Sequence, residues 1–362
     1  MNRPLHYLLL LSFFTIACIV NAQPPAATAP TVNYIPFEVN DDSSAVFRIY
    51  APNAKSVTLG GDLKGIKSQK SDDGVWSITT SSHLNPSAYR YFFMVDGMKV
   101  NDPKNPMVAD FRPMVELVPK DQKLFWQQKD VPHGVLSIVY YPSKATNSTR
   151  RMFVWTPPGY MAGNKKLPVL YLLHGGGDND TNWPGQGKAG WILDNLFAEG
   201  KIVPMVVVMP DGSVPVETVA EDIGNNIIPY IEKNFRVHTD AAHRAIAGLS
   251  MGGLQTMETL LKFPGKFTYV NVMSSGWWAD RPGNYEKYEA LVKAAAPTLK
   301  KTVNYFIFTT GGQSDIADKN NDLTRAVFEK YGVKSELSKM EGGHTMYVWR
   351  HDLYNFTQKI FK

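Results

Sequence analysis

The sequence predicts an α/β protein built on a mostly parallel sheet and preceded by a small all-β sandwich domain. Three observations carry this reading. Uncharged runs such as LPVLYLL (167–173) and PMVVVMP (204–210) have the texture of strands buried on both faces. Stretches with helical spacing, GKAGWILDNLFAEG (187–200) and TVAEDIGNNIIPYIEKNF (218–235), separate such runs, as crossovers between parallel strands require. Before residue 119 the texture differs: AVFRIYA, GVWSITT and YRYFFMVDG alternate apolar with polar residues between closely spaced turn signals.

In chain order, Arg3, the apolar run from Tyr7 to Val20 and the small residues at Val20-Asn21-Ala22 predict a secretory signal peptide over 1–22. The one cysteine, Cys18, lies inside it, so lipoprotein anchoring there is the lesser alternative to a secreted or periplasmic protein. Cleavage after Ala22 would leave a chain with neither a disulfide nor a thiol nucleophile. Residues 23–31, QPPAATAPT, read as an extended linker, and 32–118 as the β-sandwich domain. Charge, two prolines and a glycine in PKDQKLFWQQKDVPHG mark a second linker, 119–134, before the α/β domain of 135–362. The composition, 44% hydrophobic and 20% charged, is that of a folded chain and gives no multi-span membrane signature. A net charge of +5 spread along the chain argues against a nucleic-acid partner.

The α/β domain turns on AIAGLSMGG (245–253), an apolar strand that stops at Gly248-Leu249-Ser250-Met251-Gly252 before a helical stretch. This is a G-x-S-x-G turn in strand-to-helix context, which projects a serine hydroxyl from a tight bend. A serine hydroxyl is a weak nucleophile near neutral pH and needs a base within hydrogen-bond reach and an acid to orient that base. After Ser250 the strand YFIFTT ends in GGQSD, making Asp315 the favoured acid and Asp318 its competitor. His344, on the loop EGGHT near the chain's end, is favoured as base over His351, which sits in a helical stretch. The tetrahedral oxyanion of acyl transfer needs two backbone donors, expected from Met251 and from the glycines of His174-Gly175-Gly176-Gly177, with Gly176 taken as representative. Trp183, Trp277 and Trp278 follow strand ends on that side and are expected to bind substrate through their aromatic faces. No H-E-x-x-H, C-x-x-C or phosphate-loop lysine occurs, so neither metal nor cofactor is implied.

Two resemblances add to this. GDLKGIKSQKSDDGVWSITTSSHLNPSAYRYFFMVDGMKVNDPKN (61–105) resembles the glycogen-binding-like early-set sandwich that precedes many carbohydrate-active domains, which implies sugar-stacking roles for Trp76 and Tyr91. PPGY, LPVLYLLHGGGDNDTNW, RAIAGLSMGGLQT and GGHTMYVWRHDLYNF look like carbohydrate esterase family one, an esterase D-like α/β-hydrolase family of feruloyl and acetyl xylan esterases. That resemblance implies Ser250, Asp315 and His344 as catalytic triad, and Met251 with the HGGG loop as oxyanion hole. It implies removal of feruloyl groups from plant cell-wall polysaccharide, arabinoxylan or xylo-oligosaccharides, through an acyl-enzyme. Acetyl xylan esterase, an acyltransferase of the same fold and a non-catalytic glycan-binding protein are the alternatives. The family commonly carries Trp where this chain has Met346, a departure expected on the leaving-group side of the site.

Overall fold

Eight strands after residue 134 make one mixed sheet. A computed structural model describes residues 32–81, 83–105, 114–118, 123–278 and 280–362. The expected signal peptide and first linker lie outside these residues. From Ile35 to Lys362 the chain is one compact unit.

The first eight strands form two antiparallel sheets. One has the order β1 (Phe37–Val39), β2 (Ala45–Tyr50), β5 (Val75–Thr80) and β4 (Gly65–Lys70). In the other, β3 (Val57–Gly61) and β7 (Met98–Val100) flank β6 (Ser87–Val95), and β8 (Met114–Leu117) also pairs with β6. The β6–β7 hairpin closes on Asp96-Gly97, both with positive φ, as a two-residue turn that follows the strand twist demands. Inward residues of both sheets, among them Phe47, Leu59, Ile78, Tyr91 and Phe93, share one apolar cluster. Tyr91 is therefore a core residue, its hydroxyl donating to Asp102 (2.7 Å), and its ring is not open to a sugar. Trp76 is half-buried and donates from Nε1 to the Ala51 carbonyl.

The large sheet runs β16 (Glu336–Lys339), β15 (Tyr305–Thr310), β14 (Tyr269–Met273), β13 (Arg244–Leu249), β11 (Val169–Leu173), β12 (Val206–Pro210), β10 (Ser148–Thr156) and β9 (Val135–Ser143). Strands β11 to β16 are mutually parallel, and β9 and β10 form an antiparallel hairpin that joins at β12. Every residue of β11, β12 and β13 is buried, because side chains alternate between two cores. In β11, Val169, Tyr171 and Leu173 enter the core on one face, Leu170 and Leu172 the core on the other. The first core is covered by α3 (Val216–Asp222), α4 (Ile228–Asn234), α5 (Met251–Lys262), α6 (Asn284–Thr302) and α7 (Asp318–Lys330). The second is covered by α2 (Ala189–Ala198), which follows the short α1 (Asn182–Gly185), and by α8 (Met346–Thr357).

Two expectations change in detail. The stretch 218–235 is not one regular helix: α3 and α4 are joined by a π-helical turn, Ile223–Ile227. Pro229 has no N–H to give to the carbonyl four residues back, so the ladder widens there. The described part of 119–134 is anchored: Trp126 is buried, and Phe125 packs edge-on against Trp126 and His351. Among the described residues no helix is long and apolar enough to cross a membrane.

Candidate active site

The bend after β13 is built by what its glycines leave out. Ser250 has φ 53° and ψ −117°, outside the regions an L-residue ordinarily occupies, and Met251 opens α5 directly behind it. A Cβ at Gly248 would stand 2.2 Å from the Gly252 carbonyl oxygen, and one at Gly252 would stand 2.5 Å from that of His174. Only glycine lets β13, α5 and the loop after β11 approach this closely.

Two further strand ends supply the partners. Asp315 follows β15 through a 3₁₀ turn, Gly312–Ser314, and His344 follows β16 on the loop that enters α8. His344 Nε2 lies 2.9 Å from Ser250 Oγ, and His344 Nδ1 lies 2.9 Å from Asp315 Oδ1. A carboxylate can only accept, so Nδ1 carries the proton and Nε2 presents its lone pair to the serine hydroxyl. Burial alone would push the Asp315 carboxyl up. Hydrogen bonds from His344, Ser274 and the backbone N–H groups of Gly311 and Ala317 outweigh it and hold the pKa down to about 2. The His344 ring is fixed edge-on against Trp349, whose Nε1 donates to Ser274 Oγ (2.9 Å).

The competitors are occupied elsewhere. Asp318 accepts from Thr310 Oγ1 (2.7 Å) and pairs with Lys339 (2.9 Å). His351 bonds to the Tyr347 carbonyl on α8 (2.8 Å), and burial pulls its pKa down.

The loop after β11 lies against the elbow. A Cβ at Gly176 would meet Met251 Cβ at 3.5 Å, and Met251, as the first residue of α5, has no intrahelical acceptor for its N–H. His174 shapes the loop: its Nε2 accepts the Gly212 N–H (2.7 Å), leaving Nδ1 to donate to the Gly175 carbonyl (2.8 Å). Sequence reasoning missed the anchors of this loop. Arg151 of β10 grips Asp180 with two bonds of 2.7 Å, and Arg90 of β6 pairs with Asp178 (2.7 Å). Asp178 and Asp180 carry no sequence signal for this, because their cations lie 88 and 29 residues away along the chain.

Of the three tryptophans expected at the substrate, the structure leaves one. Trp183 is 1% exposed, and its Nε1 is spent on the Leu173 carbonyl (3.0 Å). Trp277 is also 1% exposed and stacks on Tyr288 at 4.6 Å in the core. Both ring faces are consumed by packing, so neither can bind substrate. Trp278, half-buried, lines a cleft of about 130 Å³ with Ser250, Met251, Leu254, Ile316, Asn320 and His344. Met346 is buried in the second core and does not face the cleft.

An imidazole oriented by a buried carboxylate and set against a strained serine, at the carboxyl edge of a parallel sheet, is the arrangement of α/β-hydrolase-like ester hydrolases. The sequence pattern of the Esterase family matches residues 143–360, and the chain belongs to that family of carboxylic ester hydrolases. It is 34% identical over 346 residues to an endo-1,4-beta-xylanase/feruloyl esterase of Xylanibacter ruminicola, an alignment covering 90% of this chain and 46% of that protein. The chain thus spans about half the length of this relative. Among solved structures, a ferulic acid esterase superposes with TM-score 0.55 at 26% identity, covering 62% of this chain and 97% of the other. An enterochelin esterase of Shigella flexneri covers 90% of this chain and 95% of its own, with TM-score 0.66 at 16% identity, a likeness of fold.

Proposed function

We propose that this chain is a secreted serine esterase that releases feruloyl groups from arabinoxylan or related plant cell-wall xylan. The observation that carries the reading is the unbroken hydrogen-bonded line from Asp315 through His344 to Ser250, ending at a cleft walled by Trp278. Ser250 Oγ attacks the ester carbonyl carbon while its proton passes to His344 Nε2, and Asp315 remains ionised and stabilises the imidazolium. The oxyanion takes hydrogen bonds from the backbone N–H groups of Met251 and the Gly176 region. His344 then protonates the departing sugar oxygen, and water repeats the sequence on the acyl-serine. The front sheets act as a sandwich module beside this domain.

One observation favours acetyl xylan ester as second substrate: the cleft is small, and only one of the three neighbouring tryptophans reaches it. The test is Ser250→Ala, with parallel rates on methyl ferulate, methyl acetate and acetylated xylan. The variant should keep its fold and lose about a millionfold in kcat. A few per cent of activity in a pure preparation would end the serine mechanism, and acetylated xylan as the better substrate would move the assignment to acetyl release.

A further inference from the structure

The segment Val237-His238-Thr239-Asp240-Ala241-Ala242-His243 leads into β13 from the end opposite Ser250. Its two arms are fixed by backbone. Leu167 and Val237 form a parallel bridge, the His238 N–H donates to the Leu167 carbonyl (3.0 Å), and Ala241–His243 is a 3₁₀ turn. This brings the rings of His238 and His243 into a stack, with centroids 3.9 Å apart and planes 20° from parallel. His243 Nδ1 stands 2.8 Å and 2.9 Å from the two carboxylate oxygens of Asp240. A proton holds these groups together at a point where a cation could replace it.

We propose that His238, Asp240 and His243 form a binding site for a divalent transition-metal ion of the zinc type, which ties down the loop feeding the elbow strand. One nitrogen from each ring and a carboxylate oxygen all lie within 4.8 Å of one another. Zinc holds such ligands at about 2.0–2.2 Å, which puts neighbouring ligand atoms about 3.4 Å apart in a tetrahedron. The lone pairs of rings only 20° from parallel do not converge on one ion, so binding would turn one imidazole out of the stack as well as close about 1.5 Å at most, and the solvent-accessible His243 and Asp240 have the room to do both. Two imidazoles and one carboxylate suit zinc better than calcium or magnesium, which take mostly oxygen ligands. Solvent would complete the fourth position. The neighbouring cations are engaged: Arg244 pairs with Glu232 (2.5 Å), and Arg236 lies over the Tyr160 ring. Because β13 separates the cluster from Ser250, the metal would act on stability and not on the ester bond.

The test uses the full chain after treatment with a chelator, titrated with zinc chloride by calorimetry and by thermal melting. One zinc per chain should bind and raise Tm, while magnesium chloride should do neither. His238→Gln and His243→Gln should each weaken binding by about tenfold or more, and Asp240→Asn should weaken it measurably. Ester hydrolysis by these variants should match that of the parent. The ring-proton resonances of His238 and His243 in the unsubstituted chain should shift on titration, a readout that needs no variant. No binding at millimolar zinc overturns the proposal. So does unchanged stoichiometry in the double histidine variant, which would mean adventitious zinc elsewhere.

Discussion

The two sheets of β1–β8 enclose a single apolar cluster, whereas the sheet of β9–β16 carries a cluster on each face. The second arrangement buries central strands such as β11 and β13 completely, and Ser250, Asp315 and His344 follow the carboxyl ends of β13, β15 and β16. Edge strands stay open in both: every residue of β4 and of β16 is exposed. Yet the front sheets are not bystanders. Arg350 of α8, with no side-chain exposure, makes a bidentate pair with Glu116 of β8 (2.6 and 2.9 Å) and also donates to the Gln186 carbonyl. Trp126 donates to the same glutamate (3.1 Å), and Gln186 Nε2 donates to the Ala88 carbonyl of β6 (3.1 Å). With Arg90 on Asp178, the front sheets grip both the loop behind the elbow and the helix that follows His344. The proposed triad lies in one region, and part of its surroundings is held by the other.

The sharpest way to break this division is at the acid. Asp315→Asn should cost about ten-thousandfold in kcat on methyl ferulate, since the charge that stabilises protonated His344 is lost while shape is kept. Asp318→Asn should stay within a few-fold, and the reverse pattern would move the acid three residues along the chain.

Next in size is the grip itself. Glu116→Ala leaves the Arg350 guanidinium buried without its counter-ion and should destabilise the fold by about 3 kcal/mol in denaturant unfolding. An unchanged midpoint would mean that apolar contact alone joins the two regions.

A third test sits beside β15, where the buried carboxyls of Asp352 on α8 and Asp315 on the following loop have opposite signs of linkage. Asp352 is pushed up to about 8 by burial, against a hydrogen bond from Thr309 (2.8 Å) and with the Asp315 charge adding to the rise. Its folded form holds a proton that the unfolded chain releases, so stability falls as pH rises between about 4 and 8, by up to about 1.4 kcal/mol per unit. Asp315, with a folded pKa of about 2, contributes stability that is present above about 4 and lost as pH falls towards 2. Asp352→Asn should therefore raise Tm near pH 8 and leave it nearly unchanged at pH 4. Equal Tm for both proteins at pH 8 would show that Asp352 is not held neutral.

The smallest effect concerns the acyl group. Trp278→Ala should narrow the preference for methyl ferulate over methyl acetate by roughly two- to tenfold, the scale of an aromatic contact of about 0.5–1.5 kcal/mol. Trp277→Ala should instead lower stability, because its ring fills the core against Tyr288 and Phe328. A changed acyl preference in a stable Trp277→Ala protein would reverse those roles.

Local features were legible from the sequence alone. The bend at Gly248–Gly252 depends on neighbours within a few residues, so residue type suffices to read it. The buried strands were legible for the same reason, since five consecutive apolar residues state their own burial. The sequence favoured Asp315 but kept Asp318 as its competitor, since both lie within a few residues after β15; in space they differ in what faces them, His344 for one, Lys339 and Thr310 for the other. The tryptophans show the same limit. Trp277 and Trp278 are adjacent, and a turn with positive φ at Trp278 sends one ring into the core and leaves the other at the cleft. The partnership of Glu116 with Arg350 spans 234 residues. Burial and charge pairing are properties of neighbours in space, and a chain this long brings them together only once its sheets have packed.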